Sequence, residues 1–241
     1  MSKGVLIGCD REMEIYLSWW WNHYRKWNSS PVAIADFGLS ERGLEKAKKI
    51  GQIIDIDTEV GDAIISCSEV RELQSTINQV RQCIGVWQRK PFAISQSPFD
   101  ETVWIDLDCE VRADINPLFE YCKGGFGVIS DEPHYEKWCN KMGILSGLGY
   151  DTSVVVYKKD SQVLKSWVEA THDWKEAFWG DDRILSHVIK SGGYAVNIIP
   201  EEWSSNFARR NPAAKIVHYP TANGKAEIIK QLIHGQLFHT C

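Results

Sequence analysis

Val103-Trp104-Ile105-Asp106-Leu107-Asp108 is an apolar run that stops at two acids one residue apart. In an extended backbone, residues i and i+2 project to the same side, so Asp106 and Asp108 can converge on one cation, directly or through water. Carboxylate oxygens of this kind suit Mg²⁺ and Mn²⁺. The triplet alone is a weak signal, because Asp55-Ile56-Asp57 repeats it at what reads as a strand end with solvated acids. The surroundings separate the two. Before Asp106 come Lys90-Pro91-Phe92-Ala93-Ile94 and the break at Ser97-Pro98-Phe99; after it come a polar stretch from Glu110 and then Pro117-Leu118-Phe119.

Outward from that strand, short apolar runs alternate with helical stretches. Val5 to Gly8, Pro31 to Asp36, Ile53 to Asp57 and Thr102 to Asp106 read as strands. Helices are expected over Glu12 to Trp27, from an N-cap at Ser40, over Val70 to Trp87 and over Lys90 to Gln96. Beyond Asp108, strands are expected at 124–130, 152–157, 195–200 and 215–219, with helices at 161–171 and 181–190. The alternation implies an α/β fold: a mostly parallel central sheet flanked by helices, with a smaller second sheet. Neither a repeat nor a linker is visible, so residues 1–241 are read as one domain, 1–119 forming a nucleotide half and 120–241 an acceptor half. Ligands of open α/β sheets sit beyond the carboxyl ends of the strands. The residues to examine are therefore Asp10, Asp36, Asp106, Asp108 and His218.

Composition narrows the partners. A formal net charge of −5 disfavours nucleic acid, whose binders carry a basic surplus. The seven cysteines include no C-x-x-C pair, which argues against both a disulfide framework and a zinc site. The N-terminus is too polar for a signal peptide, and no apolar run approaches the ~20 residues of a membrane span, so a cytoplasmic location is expected. Of the 11 tryptophans, four lie between 19 and 27. Met13, Leu17, Trp20, Tyr24 and Trp27 recur at helical spacing as a core face. Trp19 is left beside His23 and Lys26 on the expected helix surface, where peripheral membrane contact is an alternative to packing.

Residues 90–119 resemble the GT-A glycosyltransferases, in which a basic helix leads to an apolar strand, Asp-x-Asp, a polar turn and Leu-Phe. The resemblance implies a single Rossmann-like GT-A domain that transfers sugar from a nucleoside-diphosphate donor, with a UDP-sugar as the expected donor, to a hydroxyl acceptor on a glycan or similar molecule. Mn²⁺ or Mg²⁺ would be held by Asp106, Asp108 and His218. Tyr150-Asp151-Thr152-Ser153 resembles the family's polar turn beside the transferred sugar, without its glycine. Gly180-Asp181-Asp182-Arg183-Ile184-Leu185 resembles the acidic helix start of the retaining, glycogenin-like members, with Arg183 where they have an acid; it is also similar to the start that supplies the base in inverting members. Val217-His218-Tyr219 with Gly224-Lys225 resembles the C-terminal His and Lys of the family, at longer spacing.

The implied roles are Asp181 or Asp182 at the reacting carbon, Asp10, Asp36, Lys90, Asp106 and Lys225 on the donor, and Trp179, Trp203 and Asn206 on the acceptor. Each has a structural alternative. The paired acids can cap a helix, His218 can be a strand histidine, Lys90 can flank a helix start, and the tryptophans can be core. Two other functions share part of this pattern: a non-catalytic carbohydrate-binding protein, and a haloacid-dehalogenase-type phosphatase. The latter wants Thr or Val where this chain has Glu110, and normally opens its domain with the acid pair.

Overall fold

The computed structural model describes residues 1–57, 87–130, 149–174 and 180–238. Seven strands form the central sheet: β1 (Lys3–Cys9), β2 (Val32–Asp36), β3 (Gln52–Asp55), β4 (Glu101–Ile105), β6 (Phe126–Ser130), β7 (Tyr150–Lys158) and β8 (Asn197–Ile199). Their order is β3-β2-β1-β4-β7-β6-β8. Only β7 runs against its neighbours, pairing antiparallel with β4 and β6. Val5, Leu6 and Ile7 in β1, and Val103, Trp104 and Ile105 in β4, are all buried, as expected of strands covered on both faces. A second sheet joins β5 (Cys109–Val111), β10 (Ile216–His218) and β9 (Ser205–Asn206), in that order.

Helices α1 (Leu17–Tyr24), α2 (Glu41–Lys48), α3 (87–95), α4 (Gln162–Trp174), α5 (Asp181–Gly192) and α6 (Thr221–Phe238) complete the described part. Leu17, Trp20 and Tyr24 are fully buried with Val5, Ile7 and Val103 on one side of the sheet. Trp167, Leu164, Ile184 and Leu185 pack with Leu6 and Trp104 on the other. Trp20 and Tyr24 stack with ring centroids 4.9 Å apart, and truncating such a buried aromatic costs about 3–5 kcal/mol. Ser40 caps α2 as expected: its Oγ accepts from the Gly43 N–H at 3.1 Å, while Glu14 accepts from the Ser40 hydroxyl at 2.7 Å. α5 ends in Gly193, whose φ of +62° is the left-handed conformation glycine adopts without penalty.

The tryptophan-rich helix departs from its expected form. It spans 17–24 rather than 12–27, because residues 11–15 are turns anchored by Asp10, whose Oδ1 accepts from the Met13 N–H. Trp19 is buried, not free: its indole donates to Gln231 of α6 at 2.9 Å and meets the Tyr219 ring edge-on. That removes the residue on which a membrane contact would have rested. Trp27, assigned to the core face, is 55% exposed, since the chain leaves the helix at Arg25. Cys9, Cys109 and Cys122 are buried free thiols; the other cysteines, and the helix expected over 70–87 up to Trp87, lie outside the described residues. Among the described residues, no helix is long and apolar enough to cross a membrane.

Candidate active site

The site forms where β4 stops. Because β7 runs antiparallel to β4, its opening residues lie beside the end of β4: Ile105 pairs with Val154, and the Asp106 N–H donates to the Ser153 carbonyl at 2.8 Å. Asp151 and Thr152 thereby reach the same sheet edge as Asp106. The chain then turns through Leu107 and Asp108 into β5. There Cys109 pairs with His218 of β10, and the Tyr219 N–H donates to the Asp108 carbonyl at 2.9 Å. α3 supplies Lys90 and α5 supplies Asp181 and Asp182.

Lys90 is the hub. Its Nζ, buried, lies 2.9 Å from Asp106 Oδ1 and 3.1 Å from Asp181 Oδ2, and it donates to Thr152 at 3.3 Å. Thr152 Oγ1 in turn donates to Asp181 Oδ2 at 2.8 Å. Burial opposes the ammonium charge, but Asp106 and Asp181 keep it protonated. On the far side of the turn, Asp108 meets His218 Nε2 at 3.5 Å and Lys225 Nζ at 2.9 Å. Burial works against ionisation of Asp108, yet His218 and Lys225 hold it well below the usual carboxylate range. His218 is flanked on its other nitrogen by Asp151 at 3.7 Å. Burial lowers the imidazole pKa, but Asp108 and then Asp151 overcome this and raise it to about 10.

Lys225 reaches Asp108 because the start of α6 lies against β10. A β-carbon at Gly224 would be 2.3 Å from the Tyr219 carbonyl carbon and 2.4 Å from its oxygen, both backbone atoms that cannot swing aside. Gly224→Ala is therefore expected to push α6 outward and separate Lys225 from Asp108. The cost should be about 1–3 kcal/mol of stability, which thermal melts check.

Of the acids that begin α5, neither is the N-cap; that position is Gly180, which has no side chain to cap with. Asp181 instead faces Lys90 and Thr152. Asp182 accepts from the Arg183 N–H at 2.8 Å, and burial, then repulsion from Asp181, raises its pKa to about 6. That value lies above the ~3.9 of an unfolded aspartate, so the charged form costs stability above pH ~6, and the cost fades as pH falls toward ~4. Asp182→Asn is expected to stabilise the protein near pH ~8 by on the order of 1–3 kcal/mol and to be neutral near pH ~4. Equal melting shifts at both pH values would remove the desolvation account.

Asp106, Asp108, Asp181, Asp182, His218, Lys90 and Lys225 thus lie together at this edge of the sheet. Asp106 does not join the metal-ligand group expected of it. Its carboxylate is held by Lys90 and by the Trp104 indole, 2.7 Å from Oδ1. Among the described residues, the ligand atoms lying within 4.8 Å of one another belong to Asp108, Cys109 and His218. Burial raises the Cys109 thiol well above its ordinary value, and His218 must also lose a proton to ligate, so Asp108 is the donor already in its ligating form. A divalent cation fits the charge here: five carboxylates (106, 108, 151, 181 and 182) face Lys90, Lys225 and Arg183. With His218 protonated, one negative charge is in excess; a cation that ligated His218 would displace its proton and raise the excess to two.

Asp10 and Asp36 close β1 and β2, and each accepts from local backbone: Asp10 from Met13, Asp36 from Gly38 and Leu39. Trp203 is 3% exposed with Lys215 Nζ 4.4 Å above its ring, so it belongs to the core and offers no open face for stacking on a sugar. Asn206 ends β9 and accepts from the Ala208 N–H. Trp179 lies outside the described residues. Asp151 belongs to the Tyr150-Asp151-Thr152-Ser153 turn that the resemblance places beside the transferred sugar, and the structure sets it against His218.

No protein-family model matches the chain, and no curated relative matches it. Solved structures do. The galactosyltransferase LgtC, in complex with donor and acceptor sugar analogues, superposes with a TM-score of 0.59 at 15% identity, covering 91% of this chain and 87% of that one. GlyE, a glycosyltransferase of Streptococcus pneumoniae TIGR4, gives 0.58 at 13% identity over 92% of this chain and 55% of its own. Mouse xyloside xylosyltransferase 1 gives 0.54 at 12% identity, over 92% and 99%. With its mostly parallel seven-stranded sheet and small second sheet, this chain has the GT-A fold of these glycosyltransferases.

Proposed function

We propose that this protein is a metal-dependent glycosyltransferase that moves a sugar from a nucleoside-diphosphate donor, a UDP-sugar, to a hydroxyl acceptor. The observation that carries this reading is the meeting of Asp108, His218 and Lys225 with the Lys90–Asp106–Asp181 cluster at the carboxyl edge of a GT-A sheet. It is supported by LgtC, which binds donor and acceptor sugar analogues on the same fold.

Asp108 and His218 would hold Mn²⁺ or Mg²⁺. Bound there, the cation would neutralise charge on the departing diphosphate. Lys225, on a helix start beside Asp108, meets the diphosphate as a point charge. Lys90 keeps Asp106 and Asp181 apart and oriented, and Asp10 and Asp36 face the nucleoside from the neighbouring strand ends. Asp182 is offered to the reacting carbon. In an inverting reaction it accepts the acceptor proton, for which a pKa of about 6 is suited. In a retaining reaction it faces the oxocarbenium-like centre, and the anomer of the product, read by NMR, separates the two.

Calorimetry with UDP, with and without Mn²⁺, tests the proposal. Metal-dependent UDP binding is the expected result. A protein that bound saccharides but no nucleotide, with or without metal, would instead be a carbohydrate-binding module.

A further inference from the structure

The face of the small sheet turned away from His218 carries a concavity. Side chains alternate along a strand, so Val217 and Tyr219 project opposite to His218, and both line a cleft of about 650 Å³. This volume is typical of a small-ligand site. One wall is aromatic: the Phe207 and Tyr219 rings stack with centroids 5.3 Å apart and planes 16° from parallel. Asn206, Arg210, Arg112 and Glu227 supply polar groups around it.

Two features of this cleft are costs to the folded chain. Ser205, wholly buried in its wall, has a hydroxyl with no hydrogen-bond partner among the described residues. Such a group costs roughly 1–3 kcal/mol when left unsatisfied. Arg210 adopts a φ of +49°, the left-handed region that a residue with a β-carbon enters at a penalty. Unmet polar groups and strained backbone gather where a ligand is received.

We propose that this cleft is a saccharide-binding subsite, distinct from the transfer centre, that takes a glycan segment bearing acidic groups. An aromatic wall meets the C–H face of a sugar ring, while amide, carboxylate and guanidinium groups reach neighbouring hydroxyls in pairs. Arg112 is paired with Glu110 and Glu227 with Lys230, so Arg210 is the lining charge without an ion-pair partner among the described residues, and its guanidinium favours an acidic sugar. Arg112 is already oriented by Glu110 at 2.8 Å. A glycan seated here lies across the sheet from His218, so it is anchored and does not react.

The test uses the full chain, with hexagalacturonate and maltohexaose as probes, followed by saturation-transfer NMR and calorimetry. Hexagalacturonate is expected to bind at millimolar concentration or tighter, more weakly as salt rises, and better than maltohexaose. Arg210→Gly relieves the left-handed backbone, so it should raise Tm while lowering affinity at least ~10-fold. Phe207→Leu should lower affinity for both sugars. Titrating UDP and Mn²⁺ into the same samples reports the transfer centre separately: saccharide binding without UDP binding would sink the transferase reading and leave this one standing. The subsite is overturned if neither saccharide binds, or if affinity is unchanged in both variants.

Discussion

Asp108→Ala is expected to abolish metal-dependent UDP binding and to lower kcat/KM by ~10³-fold or more, since a bound cation contributes several kcal/mol to departure of the diphosphate. The side chain stands where three demands meet. It is a ligand candidate beside His218 at 3.5 Å, it is the partner of Lys225 at 2.9 Å, and it sits on the turn joining the two sheets. Its fold role is smaller. Asp151 still faces His218 after the substitution, Lys225 is about one-third exposed, and the backbone bond from Tyr219 to the Asp108 carbonyl does not involve the side chain. Stability should therefore fall by only about 1–2 kcal/mol. A melting profile close to the parent with Mn²⁺-dependent UDP binding lost is the expected pair of results; retained binding would move the metal elsewhere.

Lys90→Met should act in the opposite balance, with the largest expected loss of stability. It removes a buried ammonium from two carboxylates, Asp106 and Asp181, at 2.9 and 3.1 Å, and leaves their charge without its counterion. Breaking a buried pair in this way costs about 3–5 kcal/mol near neutral pH. The pH dependence has a definite sign. Burial raises Asp106 to about 6 even with Lys90 in place, and loss of the ammonium raises it further. The folded variant then binds a proton that the unfolded chain does not bind above pH ~4, so its stability recovers as pH falls toward ~5 and declines as pH rises. Melts at pH ~5 and ~8 should show the gap to the parent narrowing in acid. A constant gap would mean that Lys90 contributes packing alone.

How much of this was legible beforehand differs from residue to residue. The strand that ends in Asp106 was plain, because continuous apolar residues followed by acids are what a buried strand with a polar end must look like. The N-cap at Ser40 and the start of α5 at Asp181 were equally local. Trp19 and Trp27 exchanged their expected places because helical periodicity ranks positions on a helix, but the helix is shorter than the pattern and α6 covers the side taken as surface. Trp203 shows the same limit: an aromatic in a loop reads as an available platform until the strand and lysine packed against it are known.

By itself, the sequence determined the layered α/β architecture, the strand end carrying Asp106 and Asp108, and the pool of charged residues from which a site could be built. Only the tertiary structure decided who meets whom. Lys225 reaches Asp108 across 117 positions and Lys90 reaches Thr152 across 62. The direction of β7 delivers Asp151, and the register of β5 with β10 puts His218 beside Cys109 and Asp108. Local periodicity records that one face of a segment is buried; it carries no information about which distant strand supplies the other side. For the Asp106-Leu107-Asp108 turn, that missing information splits the pair: one acid meets Lys90, the other meets His218 and Lys225.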